Sequence, residues 1–105
     1  MHYQLSFYVP SSHLESVKSA LFASGAGAYE RYDQCCWQVL GEGQFRPTDG
    51  ANPFDGKIGQ VSCEPEYRVE MLCTQAVISN AVAALKEAHP YEEVAYSVFK
   101  CVDIK

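Results

Sequence analysis

Hydrophobic and polar residues alternate strictly over residues 2–9. This period of two predicts a half-buried strand that Pro10 ends. Ser12 and Glu15 form a capping box that predicts the start of a helix, and Gly25 is placed to stop that helix in the left-handed conformation. The residues predicted to face the core in this first unit are Tyr3, Leu5, Phe7, Val9, Leu14, Val17, Ala20 and Leu21.

The rest of the chain carries three further strand patterns and one further helix pattern. Residues 29–40 are rich in aromatic residues, contain Cys and Val but no Pro or Gly, and predict a second strand. Residues 61–71 show the clearest period of two, with Pro65 in the inward phase, which indicates a bulge or an edge at that point. Thr74 is predicted as the N-cap of a second helix, and residues 94–103 predict a final strand.

The order β-α-β-β-α-β is typical of the ferredoxin-like α+β fold. Right-handed crossovers would place both helices on one face of a four-stranded antiparallel sheet, in one domain over residues 1–105. The other sheet face would then lack cover, and we expect a second copy to bury it, so that the chain forms a homo-oligomer. The large aromatic residues that we assign to this surplus are Tyr8, Tyr32, Trp37, Tyr96 and Phe99.

Residues 41–59 join the second and third strands and contain five glycines and two prolines. Loops this long are uncommon in small domains, and the large apolar residues in this one argue against disorder, so we predict a folded loop that faces a ligand or partner. Turn chemistry that folds Phe45 and Phe54 over the sheet edge is one interpretation. Backbone N–H groups that hold an anion or nucleotide, with Arg46 and Lys57 nearby, are the other. The loop residues that we select as ligand contacts are Gly41, Gly43, Phe45, Arg46, Asn52, Pro53 and Lys57.

The sequence HPYEE follows the second helix, and Pro90 predicts the end of that helix. His89, Glu92 and Glu93 offer one imidazole and two carboxylates, which could hold a divalent metal ion such as zinc. The alternative is that His89 caps the helix and the glutamates begin an exposed strand, where neighbouring side chains point in opposite directions. Tyr91 is a candidate ligand contact.

Charged residues share the outward phase of the third strand: Glu64, Glu66, Arg68 and Glu70. They could line an acidic ligand pocket between subunits, for which Glu66 and Arg68 are the candidate contacts. The alternative is a solvated ladder in which Arg68 pairs with a carboxylate.

Composition limits the classes of partner. A chain of 105 residues suits one small core, and a net charge of −5 without a basic cluster argues against nucleic acid or an anionic membrane as the principal partner. The sequence has no apolar run of about 20 residues and no signal-peptide pattern at its start, so a cytoplasmic location is expected. Five cysteines without a CxxC pair predict reduced thiols that pack as small apolar groups.

An ordered series of motifs resembles the YqfO-type domain, the insert of many bacterial Nif-three-like proteins. The series covers nearly the whole chain and comprises Gly25-Ala26-Gly27, Tyr32, Cys35, Gly41, Gly43, Phe45, Pro47, Gly50-Ala51-Asn52-Pro53, Gly56, Gly59, Glu66, Arg68, Glu70 and His89-Pro90-Tyr91-Glu92-Glu93. Glu30 departs from it, since the family pattern has a glycine there. The resemblance implies a fold similar to CutA and PII proteins, which are ferredoxin-like trimers. It implies no hydrolase activity, because the dinuclear metal site of the larger proteins lies in their flanking domains.

These observations favour a non-catalytic, regulatory module that binds a small molecule or metal ion as a homo-oligomer, with a trimer preferred. The 41–59 loop and the HPYEE segment would line its site. The alternative is a protein-interaction module that docks on a partner through the loop. A metal-dependent hydrolase ranks last, since no pair of groups at catalytic spacing, nucleophile elbow or phosphate-binding loop stands out.

Overall fold

The four strands follow the alternating segments of the sequence, and a computed structural model describes residues 1–104. The strands are β1 (His2–Pro10), β2 (Trp37–Phe45), β3 (Ser62–Thr74) and β4 (Tyr96–Lys100). The helices are α1 (Leu14–Ala23), which follows a 3-10 turn at Ser11–His13, and α2 (Ile78–Ala88). All pairings are antiparallel and the strand order is β2-β3-β1-β4, which confirms the predicted ferredoxin-like fold.

One face of the sheet and both helices form the core. In the two central strands, Leu5 pairs with Met71 and Phe7 pairs with Val69, and these side chains are buried. Each fully buried apolar side chain of this size contributes about 1.5–3 kcal/mol to the free energy of unfolding. The helical residues that complete the buried cluster are Leu14, Val17, Leu21, Ala81 and Leu85.

Gly25 ends α1 as predicted. Its φ of +100° is left-handed, and its N–H donates to the carbonyl of Phe22 at 3.1 Å. The N–H of Ala26 donates to the carbonyl of Leu21, also at 3.1 Å. These two bonds form a Schellman motif, which satisfies carbonyls that the last turn would otherwise leave unpaired.

Both predicted helix starts are wrong. Ser12 lies in the 3-10 turn with its Oγ 2.8 Å from Nδ1 of His13, so it caps no helix. Thr74 is the last residue of β3, and α2 begins only at Ile78. The 3-10 turn that contains Ser12 precedes α1, and β3 extends as far as Thr74, so neither residue occupies an N-cap position.

The second strand starts later than residues 29–40 predict. Tyr29 and Tyr32 exchange backbone hydrogen bonds of 2.8 and 2.9 Å in a tight turn, and Glu30 (φ +53°) and Gln34 (φ +54°) take left-handed angles that a strand cannot contain. Glu30 therefore adopts the conformation that suits the glycine of the family pattern. At its other end β2 continues to Phe45, so the irregular connection to β3 covers residues 46–61. The last strand is also shorter than residues 94–103 predict.

Pro65 lies past the end of the β1 pairing, whose last pair is Pro10 with Glu66. Only β2 pairs with this part of β3, which confirms the predicted edge.

The cysteines are free, as predicted, but they share no common environment. Cys73 is buried in the core, whereas Cys36 and Cys63 are exposed, so the prediction of apolar packing is wrong for these two. Cys35 and Cys36 precede β2 and do not lie on a strand.

The sheet face opposite the helices carries three of the predicted aromatic residues. Tyr8, Trp37 and Phe99 lie on this open face, and Trp37 and Phe99 are 58% and 61% exposed. Tyr96 was assigned to the wrong face, because it pairs with Phe7 and packs against the core. Tyr32 lies in the turn before β2, outside the sheet. No helix among residues 1–104 has the length and apolar character needed to cross a membrane.

Candidate functional site

A cleft of about 330 Å³ lies between the 46–61 connection and the segment that joins α2 to β4. The two segments are far apart in sequence and meet beside the N-terminal part of β3, near Glu66. The structure brings five predicted ligand contacts to this cleft: Phe45, Arg46, Pro53, Glu66 and Tyr91. It also places Glu92 and Glu93, which were predicted as metal ligands, in the lining. The lining residues that sequence analysis did not select are Tyr8, Gln44, Pro47, Thr48, Ala51, Phe54, Asp55 and Ala95.

Tyr91 connects the two walls of the cleft. Its hydroxyl donates to Oε2 of Glu66 at 2.8 Å, and its ring centroid lies 6.3 Å from that of Phe45 and 6.1 Å from that of Phe54. Burial raises the pKa of Tyr91, and the hydrogen bond to Glu66 and the charges of Glu66 and Asp55 raise it further. Tyr91 therefore remains a neutral phenol that orients the Glu66 carboxylate.

Gly43 makes room for this carboxylate. The two residues lie on neighbouring strands, and an ideal Cβ at position 43 would overlap Oε1 of Glu66 and lie 2.6 Å from its Cδ. A side chain at this position would force the carboxylate to move. Gly43 was predicted as a ligand contact, but it does not line the cleft and instead acts on the site through Glu66.

His89 holds the HPYEE segment against β1. It leaves the helix in an extended conformation (φ −76°, ψ 139°), as the following Pro90 predicts. Its Nε2 lies 2.7 Å from the carbonyl oxygen of Tyr8, and its Nδ1 accepts the N–H of Tyr91 at 3.1 Å. This pattern requires the neutral tautomer with the proton on Nε2, and burial lowers the pKa of His89 accordingly.

The 46–61 connection uses its own backbone amides. The N–H of Gly59 donates to the carbonyl of Pro47 at 2.7 Å, and the N–H of Ala51 donates to the carbonyl of Thr48 at 3.1 Å. The N–H of Asn52 donates to Oε1 of Glu92 at 2.8 Å, which ties the connection to the HPYEE segment. This arrangement favours turn chemistry over an anion cradle, and Lys57 lies outside the lining.

The predicted metal ligands do not converge. Among residues 1–104, no three His, Cys, Asp or Glu side chains lie together in a way that could hold a metal ion. The two ring nitrogens of His89 are occupied by backbone groups, and Glu92 accepts from Asn52. His89, Glu92 and Glu93 therefore do not converge on one metal position among residues 1–104.

Arg68 lies outside the cleft lining, and so does Gly41. Nη2 of Arg68 is 3.0 Å from Oε1 of Glu70 on the same strand. This contact favours the interpretation of a solvated charge ladder for this part of β3.

Sequence comparisons relate the chain to one part of larger proteins. The protein called GTP cyclohydrolase 1 type 2 homologue of Mycobacterium leprae is 42% identical over 95 residues, which are 90% of this chain and 25% of that protein. The protein of the same name from Bacillus subtilis is 38% identical over 96 residues, which are 91% of this chain and 26% of that protein. The chain thus spans about a quarter of the length of the curated relatives it matches. No protein-family model matches the chain.

Solved structures agree with the predicted resemblance. A Bacillus cereus protein related to NIF3 superposes with a TM-score of 0.80 at 34% identity over 93% of this chain and 25% of that chain. The periplasmic divalent cation tolerance protein CutA of Archaeoglobus fulgidus superposes with a TM-score of 0.71 at 13% identity over 100% of this chain and 88% of that chain. The PII-like protein CutA of a Nostoc species superposes with a TM-score of 0.66 at 18% identity over 96% of this chain and 81% of that chain. The resemblance to a domain of Nif-three-like proteins is confirmed, and the fold is CutA-like and PII-like.

Proposed function

We propose that the chain is a non-catalytic module that binds a small molecule in the cleft and acts as a homo-oligomer, with a regulatory role and a cytoplasmic location. The observation that carries the proposal is the cleft itself, about 330 Å³ in volume and formed by two connections that are distant in sequence. This volume lies within the range of small-molecule sites, which combine apolar walls with a few placed polar groups. Phe45 and Phe54 supply the walls, and Tyr91 and Glu66 supply placed polar groups.

The position of the cleft supports association with a second copy of the chain. Tyr8 and Glu66 line the cleft and lie on the open face of the sheet, which also exposes Trp37, Val39 and Phe99. A second copy that covers this face would bury the exposed apolar groups and complete one side of the cleft. The ligand would then bind at a subunit interface. The resemblance to CutA and PII favours a trimer.

The names of the relatives do not determine a reaction for this chain. They belong to proteins about four times its length, so the cyclohydrolase activity that their names mention would require residues outside the matched quarter. Within the described part of the cleft, Tyr91 is a neutral phenol whose hydroxyl orients the carboxylate of Glu66. We therefore rank a metal-dependent hydrolase last.

Native mass spectrometry tests the proposal with a pair of tryptophan variants. Ala51 lines the cleft, so Ala51→Trp should fill it, whereas Ala83 is exposed on α2 and Ala83→Trp is the matched control. We expect the untagged wild type and Ala83→Trp to appear as oligomers that retain an added small-molecule mass. Ala51→Trp should lose that mass. A bare monomer for all three, with urea unfolding showing that each is folded, would contradict the proposal.

A second candidate function is docking of a protein partner through the 46–61 connection. Phe54, Ile58 and Val61 expose about half or more of their apolar side chains on this segment. Ile58→Ser would abolish partner capture under this alternative and leave the small-molecule mass unchanged. Ile58 does not line the cleft, so the same variant separates the two functions.

A further inference from the structure

The cleft is strongly acidic. Its lining contains one guanidinium, that of Arg46, against four carboxylates. The carboxylates are those of Asp55, Glu66, Glu92 and Glu93. A concave site lined by one sign of charge concentrates its field and attracts ligands of the opposite sign.

Aromatic rings form much of the remaining wall. Tyr8, Phe45, Phe54 and Tyr91 line the cleft, and the ring centroid of Tyr91 lies 6.3 Å from that of Phe45 and 6.1 Å from that of Phe54. The faces of such rings carry negative electrostatic potential and attract cations within about 6 Å of the centroid. Carboxylates and ring faces therefore select the same ligand charge, while the rings also offer apolar contact to a flat ligand body.

Four backbone amides of the 46–61 connection that could bind an anion are already in use. The amides of Ala51, Gly59 and Gln60 donate to carbonyls of the same connection, and the amide of Asn52 holds the carboxylate of Glu92. The carboxylate of Glu92 thus already occupies the position of an anion at the Asn52 amide. An incoming phosphate or carboxylate would have to displace Glu92 and approach the other carboxylates.

We propose that the cleft binds an organic cation, in which an ammonium, amidinium or guanidinium group is attached to a flat apolar body. The cationic group lies against the carboxylates of Glu66 and Glu93, and the apolar body lies against the rings of Phe45, Phe54 and Tyr91 that line the cleft. This inference rests on the proposed function, since it names the ligand class of the same cleft. Burial is the main cause of the raised pKa of Tyr91, and the nearby charges of Glu66, Asp55 and Glu64, which would also favour a cation, raise it further.

Three probes of similar size and different charge test the selection: benzamidine is a cation, benzyl alcohol is neutral and benzoate is an anion. Each is titrated at low salt into protein labelled for NMR, and backbone amide shifts are followed. Benzamidine should shift the amides of Phe45, Ala51 and Tyr91 in a saturable way. Benzyl alcohol should bind more weakly, and benzoate should leave these amides unchanged. Added salt should weaken benzamidine binding, since salt screens the attraction between exposed charges and shortens the Debye length, which is about 8–10 Å at 0.1–0.15 M.

A charge-neutralising variant then isolates the electrostatic contribution. Glu66→Gln keeps the size of the side chain and an oxygen for the Tyr91 hydroxyl but removes the charge. It should weaken benzamidine about threefold to tenfold, since a partly exposed pair contributes up to about 1.4 kcal/mol. Benzyl alcohol should bind as before. Glu87→Gln, on the exposed side of α2 and outside the cleft lining, is the matched control and should change neither affinity.

The outcomes separate this inference from the proposed function. Benzoate or benzyl alcohol binding in the cleft as tightly as benzamidine would overturn cation selection and leave a small-molecule site. Shifts at the same amides with zinc alone, and none with benzamidine, would overturn an organic ligand in favour of a metal. If no probe shifts the cleft amides at millimolar concentration, both the inference and the cleft as a small-molecule site are contradicted.

Discussion

Replacing Gly43 by alanine should have effects of opposite sign in two backgrounds. In the wild type, the new methyl group displaces the Glu66 carboxylate, because an ideal Cβ would lie 2.6 Å from its Cδ. The displaced carboxylate loses the hydroxyl of Tyr91, and a hydrogen bond to a charged group contributes about 1.5–3 kcal/mol to stability. Both partners are only half-buried, so water replaces part of this bond and about 1–1.5 kcal/mol remains to be lost.

Alanine also has a favourable effect on the free energy of unfolding. Gly43 does not have a positive φ, so alanine fits its backbone and restricts the unfolded chain, which adds about 0.5–1 kcal/mol. The two effects together predict that Gly43→Ala lowers the free energy of unfolding of the wild type by about 0.5 kcal/mol. In a Glu66→Ala background there is no carboxylate to displace, and the same change should raise the free energy of unfolding by about 0.5–1 kcal/mol.

Urea unfolding of the four proteins in this double-mutant cycle measures the coupling, which should be about 1–1.5 kcal/mol. Gly41→Ala is the matched control on the same strand. The nearest atom to its new Cβ is the backbone oxygen of Glu66 at 3.9 Å, so this change should have the same effect in both backgrounds. If Gly43→Ala changes the free energy of unfolding equally in both backgrounds, Glu66 does not occupy the space over Gly43 and the described geometry is wrong.

Three further predictions concern the helix end, the buried imidazole and the open face. Gly25→Ala should destabilise the protein by about 1–2 kcal/mol in urea unfolding, because φ is +100° and the new Cβ would lie 3.1 Å from Val77. Because the pKa of His89 is lowered in the folded protein, its contribution to the free energy of unfolding is fully present above the unfolded-state pKa of 6.5 and is lost as pH falls below that value. Between pH 7.5 and 5.5, the free energy of unfolding of the wild type should therefore fall by up to about 1.4 kcal/mol more than that of His89→Gln. An equal loss would contradict the neutral imidazole. The double substitution Trp37→Ser and Phe99→Ser should lower the molecular mass of the assembly measured by light scattering. Loss of the fold would instead appear as a changed circular dichroism spectrum.

The central strands and the first helix could be predicted because each hydrophobic period in the sequence fits only one type of secondary structure. Leu5 and Phe7 recur every second residue and must share a face, and Leu14, Val17 and Leu21 recur at helical spacing. The turn before β2 could not be predicted in this way. Aromatic residues such as Tyr29 and Tyr32 suit strands, and no glycine or proline marks the left-handed angle at Glu30.

The two walls of the candidate site could be located from the sequence, but their chemistry could not. A long glycine-rich connection and the HPYEE segment both indicated binding, and the structure places them together. The sequence pattern favours His89 as a metal ligand, but it does not show that backbone groups of Tyr8 and Tyr91 contact both its ring nitrogens. Asp55 was missed since it follows Phe54 in a turn, where an acidic residue is ordinary.

The position of Tyr8 and Glu66 connects ligand binding to association in the proposed module. Both residues contribute to the cleft, and both lie on the sheet face that a second copy would cover. In the proposed oligomer, a partner subunit that closed the cleft would increase its affinity for a ligand, and linkage would then require the ligand to strengthen association by the same factor. An organic cation would have a second effect in this assembly. It would neutralise part of the acidic lining that otherwise meets the negative surface of the incoming copy, since the chain as a whole carries a net charge of −5. The module would therefore assemble most tightly when its ligand is present, and a change in ligand concentration would become a change in subunit association.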